Sequence, residues 1–328
     1  MEKIRFAVIG TGWITQRFLE AAGQCELFSL VGVYSRSLDR AQEFAEKNGA
    51  SLIFDNLDKL ALCTEVDAVY IASPTCFHYR QSLLMLRSGK HVLCEKPVTT
   101  NCHELELLLR ISEEKRVVFL EAIRNVFTPG YAMIQEHIKR IGKIRRATLV
   151  YCQYSSKYDK FKEGKIENTF RPKLSNGAVM DIGVYGVYML ASLFGVPYSI
   201  LAKGYILPDS IDASGVIVGK YKDMQAEVIY SKITDSYMPS EIQGEDGSII
   251  FLPLAAPEKI KVIFRDGRKE NYKVDLIKPD MYYEIEAFLD MIEGKRTDTK
   301  KWNDNSYASM KILDDARKQM DIVFPSDF

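Results

Sequence analysis

Two periodicities alternate along the first third of the chain. Residues 6–9 form a continuous apolar run, the pattern of a strand buried on both faces, and Ile14, Phe18 and Ala22 then recur four apart as a helix stripe. The alternation repeats. A strand is predicted over 28–34, then a stripe of Leu38, Ala41, Phe44 and Ala45 closed by Asn48-Gly49 as a C-cap signal. A short run at 52–54 and a strong strand at 68–72 follow, then a helix over 79–88 that ends at Gly89 and a strand at 91–94. Asn101-x-x-Glu104 predicts a capping box opening a helix that carries Leu105, Leu107, Leu108, Leu109 and Ile111, and 117–120 is the next strand. Helices alternating with near-continuous apolar strands predict a parallel sheet covered on both faces.

After Ile123 the pattern changes. A helix over 131–138 stopped at Gly142, a strand over 147–154 and a helix over 177–194 are followed by short β-like runs at 200–205, 216–221, 226–230, 249–252 and 261–264. Helices at 282–292 and 306–320 complete the chain. The predicted fold class is α/β: an N-terminal doubly wound parallel sheet of the Rossmann type over residues 1–123, and an α+β domain with a large, mostly antiparallel sheet over 124–328. The segment from Lys157 to Lys165 reads as a loop, whose lysines either meet an anionic substrate or are simply solvated.

Composition narrows the classes. The 44 basic side chains balance 44 acidic ones, so no net basic surface argues for nucleic acid. The basic run Lys139, Arg140, Lys143, Arg145 and Arg146 reads as a solvated helix end and hairpin. No apolar stretch is read as approaching the ~18–20 residues of a membrane span, and the first apolar run is too short for a signal sequence. A cytoplasmic location is expected, with no membrane or nucleic-acid partner. The six cysteines form no C-x-x-C, so no metal site is expected and they read as reduced, small hydrophobes.

Four constellations carry candidate chemistry. Gly10-Thr11-Gly12-Trp13-Ile14-Thr15 joins the first strand to the first helix, where glycines let backbone N–H groups approach a pyrophosphate; Thr15 replaces the third glycine of the usual motif. At the end of the second strand stand Ser35, Arg36 and Ser37, with Arg40 a turn later. An NAD ribose favours an acid at this place, whereas a cation with hydroxyls suits a 2′-phosphate, so NADP is favoured over NAD. The alternative is that the arginines are solvated and Asp39 serves an NAD ribose. Glu95-Lys96-Pro97 ends the fifth strand, where ligands gather in open α/β sheets; taken alone, Lys96 is equally a surface turn lysine. Asp181, Tyr185 and Tyr188 share one helix face, either as a site wall or as core tyrosines beside a solvated acid. His78, His91, His103 and His137 all lie outside the sheet-rich half, so a proton-transfer group there is Tyr185 before any other, its phenol (ordinary pKa about 10) poised by Lys96.

Together these motifs resemble the Gfo/Idh/MocA oxidoreductase family. The resemblance is carried by Ala7 to Gly12, Val69-Tyr-Ile-Ala-Ser-Pro-Thr75 followed by His78, Gly89 to Pro97, and Asn176 to Tyr185. It implies that Lys96 sits beside the nicotinamide and the reacting hydroxyl, and that Asp181 and Tyr185 complete the catalytic set, as in the dihydrodiol dehydrogenase and glucose–fructose oxidoreductase branch. It further implies that Ser73, Pro74, Thr75, His78 and Glu95 line the cofactor, with Arg171 near cofactor and substrate, and that the chain is a homodimer or homotetramer. Asn176 in place of a glycine and Val126 in place of an arginine, with Arg124 two earlier, are departures that touch the substrate contacts. The implied function is hydride transfer between NADP or NAD and the alcohol or carbonyl of a sugar, polyol or cyclic diol. The rival is a non-catalytic dinucleotide sensor on the same fold, which need not keep a proton relay.

Overall fold

The apolar runs of the first third pair as expected. In the computed structural model, which describes residues 2–328, β1 (Ile4–Ile9), α1 (Trp13–Ala22), β2 (Phe28–Tyr34), α2 (Leu38–Asn48), β3 (Leu52–Phe54), α3 (Leu57–Leu62), β4 (Ala68–Ile71), α4 (His78–Arg87), β5 (His91–Glu95), α5 (Cys102–Lys115) and β6 (Phe119–Ala122) follow in order. The strands form one parallel sheet in the order β3-β2-β1-β4-β5-β6. The order reverses between β1 and β4, so the loops after these strands open at the topological switch point, where such sheets bind nucleotides. Gly49 takes the left-handed cap of α2 at φ 76°. At the capping box Asn101 accepts from the Glu104 N–H, and the Glu104 carboxylate accepts from the N–H and hydroxyl of Thr100.

The chain divides into two compact units, and the first comprises the chain up to Ala122 together with Ile277–Asp304. The periodicity places this last segment in the C-terminal domain. Tertiary contacts draw it to the first unit: Phe288, on the helix Tyr282–Ile292, packs edge-on to Phe6, and Arg17 pairs with the buried Asp280 at 2.6 Å. Such contacts connect residues more than two hundred and fifty positions apart, as the Arg17–Asp280 bond does, and local pattern carries no trace of them.

The second unit comprises Ile123–Leu276 and Asn305–Phe328. Its elements are α6 (Pro129–Ile138), β7 (Ile144–Cys152), α7 (Ser156–Lys162), a π-helical turn (Val179–Gly183) running into α8 (Val184–Phe194), then β8 (Ser199–Leu207), β9 (Ile211–Lys220), β10 (Gln225–Ser231), β11 (Ser240–Gly244), β12 (Gly247–Leu252), β13 (Lys259–Phe264) and β14 (Lys269–Lys273). The sheet has eight strands in the order β14-β13-β12-β11-β7-β10-β9-β8. Its pairs are antiparallel except β7 with β10. β11 and β14 escape the sequence pattern because Ser-Glu-Ile-Gln-Gly and Lys-Glu-Asn-Tyr-Lys lack an apolar run.

Two expectations are corrected here. The segment read as a loop after Lys157 contains α7, and its lysines are engaged internally: Lys157 with Thr169 at 2.9 Å, Lys160 with Glu167 at 2.6 Å and Lys162 with Asp159 at 2.8 Å. The helix forms because Tyr158 and Phe161 pack against buried Phe170, a contact invisible to local charge content. The basic run from Arg140 to Arg146 lies on the surface as expected, in ion pairs with Glu270, Asp223, Glu245 and Glu227 at 2.6–3.0 Å. Finally, Pro172–Phe194 is long and apolar enough to cross a membrane by length and composition, and 78% of that window is buried inside the unit, as a core helix would be.

Candidate functional site

The glycine loop is shaped by a steric demand. Gly10 adopts φ +106°, and a Cβ there would lie 2.9 Å from the Ala72 carbonyl oxygen, so the β1 and β4 loops approach as closely as only glycine permits. Gly12 is the N-cap of α1, with no side-chain cap and nothing within 4 Å of a built Cβ. The first N–H groups of α1 are therefore left for an anion. Thr15 is fully buried, so its replacement of the third glycine is absorbed in the core and not at the loop.

At the end of β2, the Ser35 hydroxyl accepts from the Ser37 N–H at 3.3 Å and the Ser37 hydroxyl caps α2 through the Arg40 N–H at 3.5 Å. Arg36 is exposed, its guanidinium 5.7 Å from the centre of the Phe77 ring, and Arg40 is exposed too. Residues 35–37 hold hydroxyls and a cation and no carboxylate; Asp39 sits exposed in the first turn of α2. This chemistry fits an adenosine 2′-phosphate better than a bare ribose.

The turn carrying Lys96 is fixed by its neighbours. Glu95 is buried and accepts a 2.6 Å hydrogen bond from Tyr70, whose ring stacks on Phe18 at 3.7 Å. Burial and the adjacent Glu95 push the Tyr70 phenol well up, keeping it a donor. The Lys96–Pro97 peptide is cis, and the Val98 N–H donates to Glu121 at 3.1 Å. His78 is buried with its Nδ1 2.9 Å from the Pro97 carbonyl and its Nε2 2.8 Å from the Ser73 carbonyl. Burial lowers the imidazole's pKa, while both carbonyls act the other way. The ring thus ties the Ser73 loop to the Lys96 turn. Ser73 in turn donates to Gln81 at 2.6 Å, and Thr75 is buried beside Pro74 at the start of a short 3-10 turn.

In the second unit, the π-helical turn holds Asp181 and α8 begins just before Tyr185. π-turns widen a helix locally and recur at functional sites. Gly186 allows α8 to lie against β10: a Cβ there would come within 2.6 Å of Val228 Cγ1. Tyr185 is 6% exposed; the Arg124 guanidinium lies 5.3 Å from its ring centre, the Tyr151 ring meets it edge-on at 5.6 Å, and Asn125 holds its carbonyl at 3.1 Å. Tyr188 belongs to the core, fully buried, its hydroxyl accepting from Ser306 at 3.4 Å. Asp181 is not a solvated acid: its carboxylate is ion-paired with Lys232. Asp212 lies fully buried below the same turn, accepting from the N–H groups of Val179 and Ala178; burial raises its pKa to about 7. Arg171 is exposed and donates to the Ile166 carbonyl at 3.0 Å.

Lys96 therefore belongs to the first unit, and Asp181, Tyr185 and Arg171 to the second. Sequence reasoning missed Tyr70, Glu121, Asp212 and Lys232. The available signal was a charged or polar residue inside or just after an apolar strand, as in Ile211-Asp212-Ala213 and Ile229-Tyr230-Ser231-Lys232. Among the described residues no group of His, Cys, Asp and Glu is arranged to hold a metal ion.

Comparison with known proteins agrees with this architecture. Residues 4–122 match the oxidoreductase family with an NAD-binding Rossmann fold, and 131–250 match the GFO/IDH/MocA C-terminal domain. The chain is 46% identical to the scyllo-inositol 2-dehydrogenase (NADP(+)) of Bacillus subtilis over 99% of both chains. It is 25% identical to the trans-1,2-dihydrobenzene-1,2-diol dehydrogenase of Danio rerio, again over 99% of both. The structure of KijD10, a 3-ketoreductase from Actinomadura kijaniata in complex with NADP and TDP-benzene, superposes with a TM-score of 0.86 at 21% identity, covering 98% of this chain and 99% of that one. That last likeness concerns the fold, and the full-length identity above it settles the kinship: the chain belongs to the GFO/IDH/MocA family of nicotinamide-dinucleotide oxidoreductases.

Proposed function

We propose that this enzyme is an NADP-dependent dehydrogenase and reductase of cyclic polyols, with Lys96, Asp181 and Tyr185 as its reacting side chains. The observation that carries the proposal is the Lys96 turn, pinned by Tyr70 through Glu95, by His78 at Pro97 and by Glu121 at Val98. A sensor that only binds a dinucleotide has no need to hold a lysine so firmly. The full-length similarity to an inositol dehydrogenase supports the substrate class.

In the oxidative direction Tyr185, entering as the phenolate, takes the proton of the substrate hydroxyl and becomes the neutral phenol, and the Lys96 ammonium donates a hydrogen bond that stabilises negative charge on the oxygen. General-base transfer of this kind contributes typically about 10²–10⁴-fold to rate. The Arg124 cation beside the Tyr185 ring favours the same charge separation. Gly10, Thr11, Gly12, Trp13 and Ile14 would hold the pyrophosphate, and Ser35, Arg36, Ser37 and Arg40 the 2′-phosphate; Ser73, Pro74, Thr75, His78, Glu95 and Arg171 complete the proposed cofactor set. Bound NADP would supply the hydride acceptor.

We also place the enzyme in the cytoplasm, where its six cysteines would remain thiols. It assembles as a homo-oligomer through the eight-stranded sheet, whose β8 exposes Leu201 (74%) and Tyr205 (61%). The function is tested by nicotinamide absorbance with NADP+ and NAD+ against inositols, sugars and cyclic diols. Reduction of NADP+ by a cyclic polyol, faster than that of NAD+, is expected. No turnover with any of them, or a strong preference for NAD+, would contradict it.

A further inference from the structure

Strand β9 begins and β10 ends beneath the π-helical turn, and each brings a charged side chain to it. From β9 comes Asp212, 1% exposed, which accepts backbone N–H groups at the start of the turn, from Val179 and Ala178. From the end of β10 comes Lys232, whose side chain is 9% exposed and whose ammonium pairs with the Asp181 carboxylate. The lysine backbone is itself anchored on both sides: its N–H donates to the Ala213 carbonyl at 2.9 Å, and its carbonyl accepts from Ser155 at 2.9 Å. A buried ammonium requires a counter-charge. Of the two carboxylates around it, Asp212 spends one oxygen on backbone N–H groups, and its other oxygen has no hydrogen-bond partner.

We propose that Lys232 is a positioning residue of the reaction: by pairing with Asp181 it fixes that carboxylate in one pose and balances its charge, one helical turn ahead of Tyr185. The proposal rests on the reading above that Asp181 and Tyr185 belong to the reacting set. The charged and titratable groups around this turn are Lys232, Asp212, Asp181 and Tyr230, whose ring packs at Gly183, and further along α8 Tyr185 with Arg124 and Tyr151 against its ring. If Lys232 serves only as filling for the core, its charge is immaterial to turnover. If it positions Asp181, removing the charge takes away the cation paired with that carboxylate, one helical turn ahead of the general base, and the rate and its pH dependence change together.

The test compares Lys232→Met, Asp181→Asn and the double variant with wild type, using a polyol that the wild type oxidises, and Tyr185→Phe as the reference. Lys232→Met is expected to lower kcat by roughly tenfold or more and to move the acid limb of the kcat profile by about one pH unit, since one unit corresponds to loss of one strong charge partner. Its affinity for NADP+ should stay within about twofold, because Lys232 is not among the residues proposed to hold the cofactor. The double variant carries no unpaired charge and so guards against simple misfolding; it should be no slower than Asp181→Asn, since the lysine acts through the aspartate. A Lys232→Met enzyme with wild-type kcat and an unmoved profile, or a double variant slower by the product of the two single losses, overturns the proposal. If Tyr185→Phe is fully active, the site reading fails instead, and the two failures are thereby distinguished.

Discussion

Asp212→Asn isolates a pH-dependent destabilisation built into the second unit. Asp212 is fully buried, and burial raises its carboxyl from an ordinary 3.8 to about 7 against the opposing pull of two backbone N–H groups and Lys232. Between those values the folded protein keeps a proton that the unfolded chain has released, so stability falls as pH rises from about 4 to about 7 and is level beyond. A rise of about three pH units at ~1.36 kcal/mol each amounts to about 4 kcal/mol across the window. The wild-type curve alone conceals this slope. His78, His91 and His137 have lowered pKa values through burial, and each adds stability as pH rises toward the ordinary imidazole value. Carboxylates held low by cations, such as Glu270 at about 2 beside Arg140, contribute stability that is present above their ordinary pKa and lost below it. The difference between variant and wild type removes all of these. Asparagine keeps an oxygen for the Val179 N–H and has no charge to form. Urea denaturation of both proteins at half-unit steps from pH 4.5 to 8 should show the variant gaining on wild type by about 3–4 kcal/mol up to pH 7, then holding level. A difference that is flat with pH would refute the reasoning and mean that Asp212 is ionised in the fold throughout.

Two further substitutions test the first unit. Arg36→Ala should raise the KM for NADP+ by about ten- to a hundredfold, the loss of a charge-assisted bond of ~1.5–3 kcal/mol, and leave the KM for NAD+ little changed; equal effects on both cofactors would show that Arg36 does not meet the 2′-phosphate. Tyr70→Phe removes the donor to buried Glu95 and should cost about 1.5–3 kcal/mol of stability, read by chemical denaturation, with an unchanged midpoint as the contrary outcome.

The sequence and the structure part company in an instructive way. The strands of the first unit were legible because both faces are buried: Phe6, Ala7 and Val8 have no exposure at all, so every position must be apolar. β14 was not, because alternate residues of an edge strand face solvent and Lys269, Asn271 and Lys273 dominate its composition. The glycine loop and the Lys96 turn announce themselves through Gly10 and Pro97, whose backbone geometry few residues can adopt. Lys232 and Asp212 do not, because a single charge within or beside an apolar strand acquires meaning only when another segment supplies its partner. Asp181 was singled out by its spacing to Tyr185, yet its ion-pair partner lies fifty-one positions away, and no helical spacing encodes that. The same holds for the segment Ile277–Asp304, whose place in the first unit depends on Phe288 meeting Phe6.

The central claim is that Tyr185 moves the proton while the Rossmann unit holds the cofactor, and it is met most directly by nicotinamide absorbance in a single turnover of Tyr185→Phe with NADP+ and a polyol that the wild type oxidises. The account predicts a rate lower by about two to four orders of magnitude, with NADP+ bound as tightly as before. A variant that reduces NADP+ at the wild-type rate would contradict it and pass the proton to Lys96.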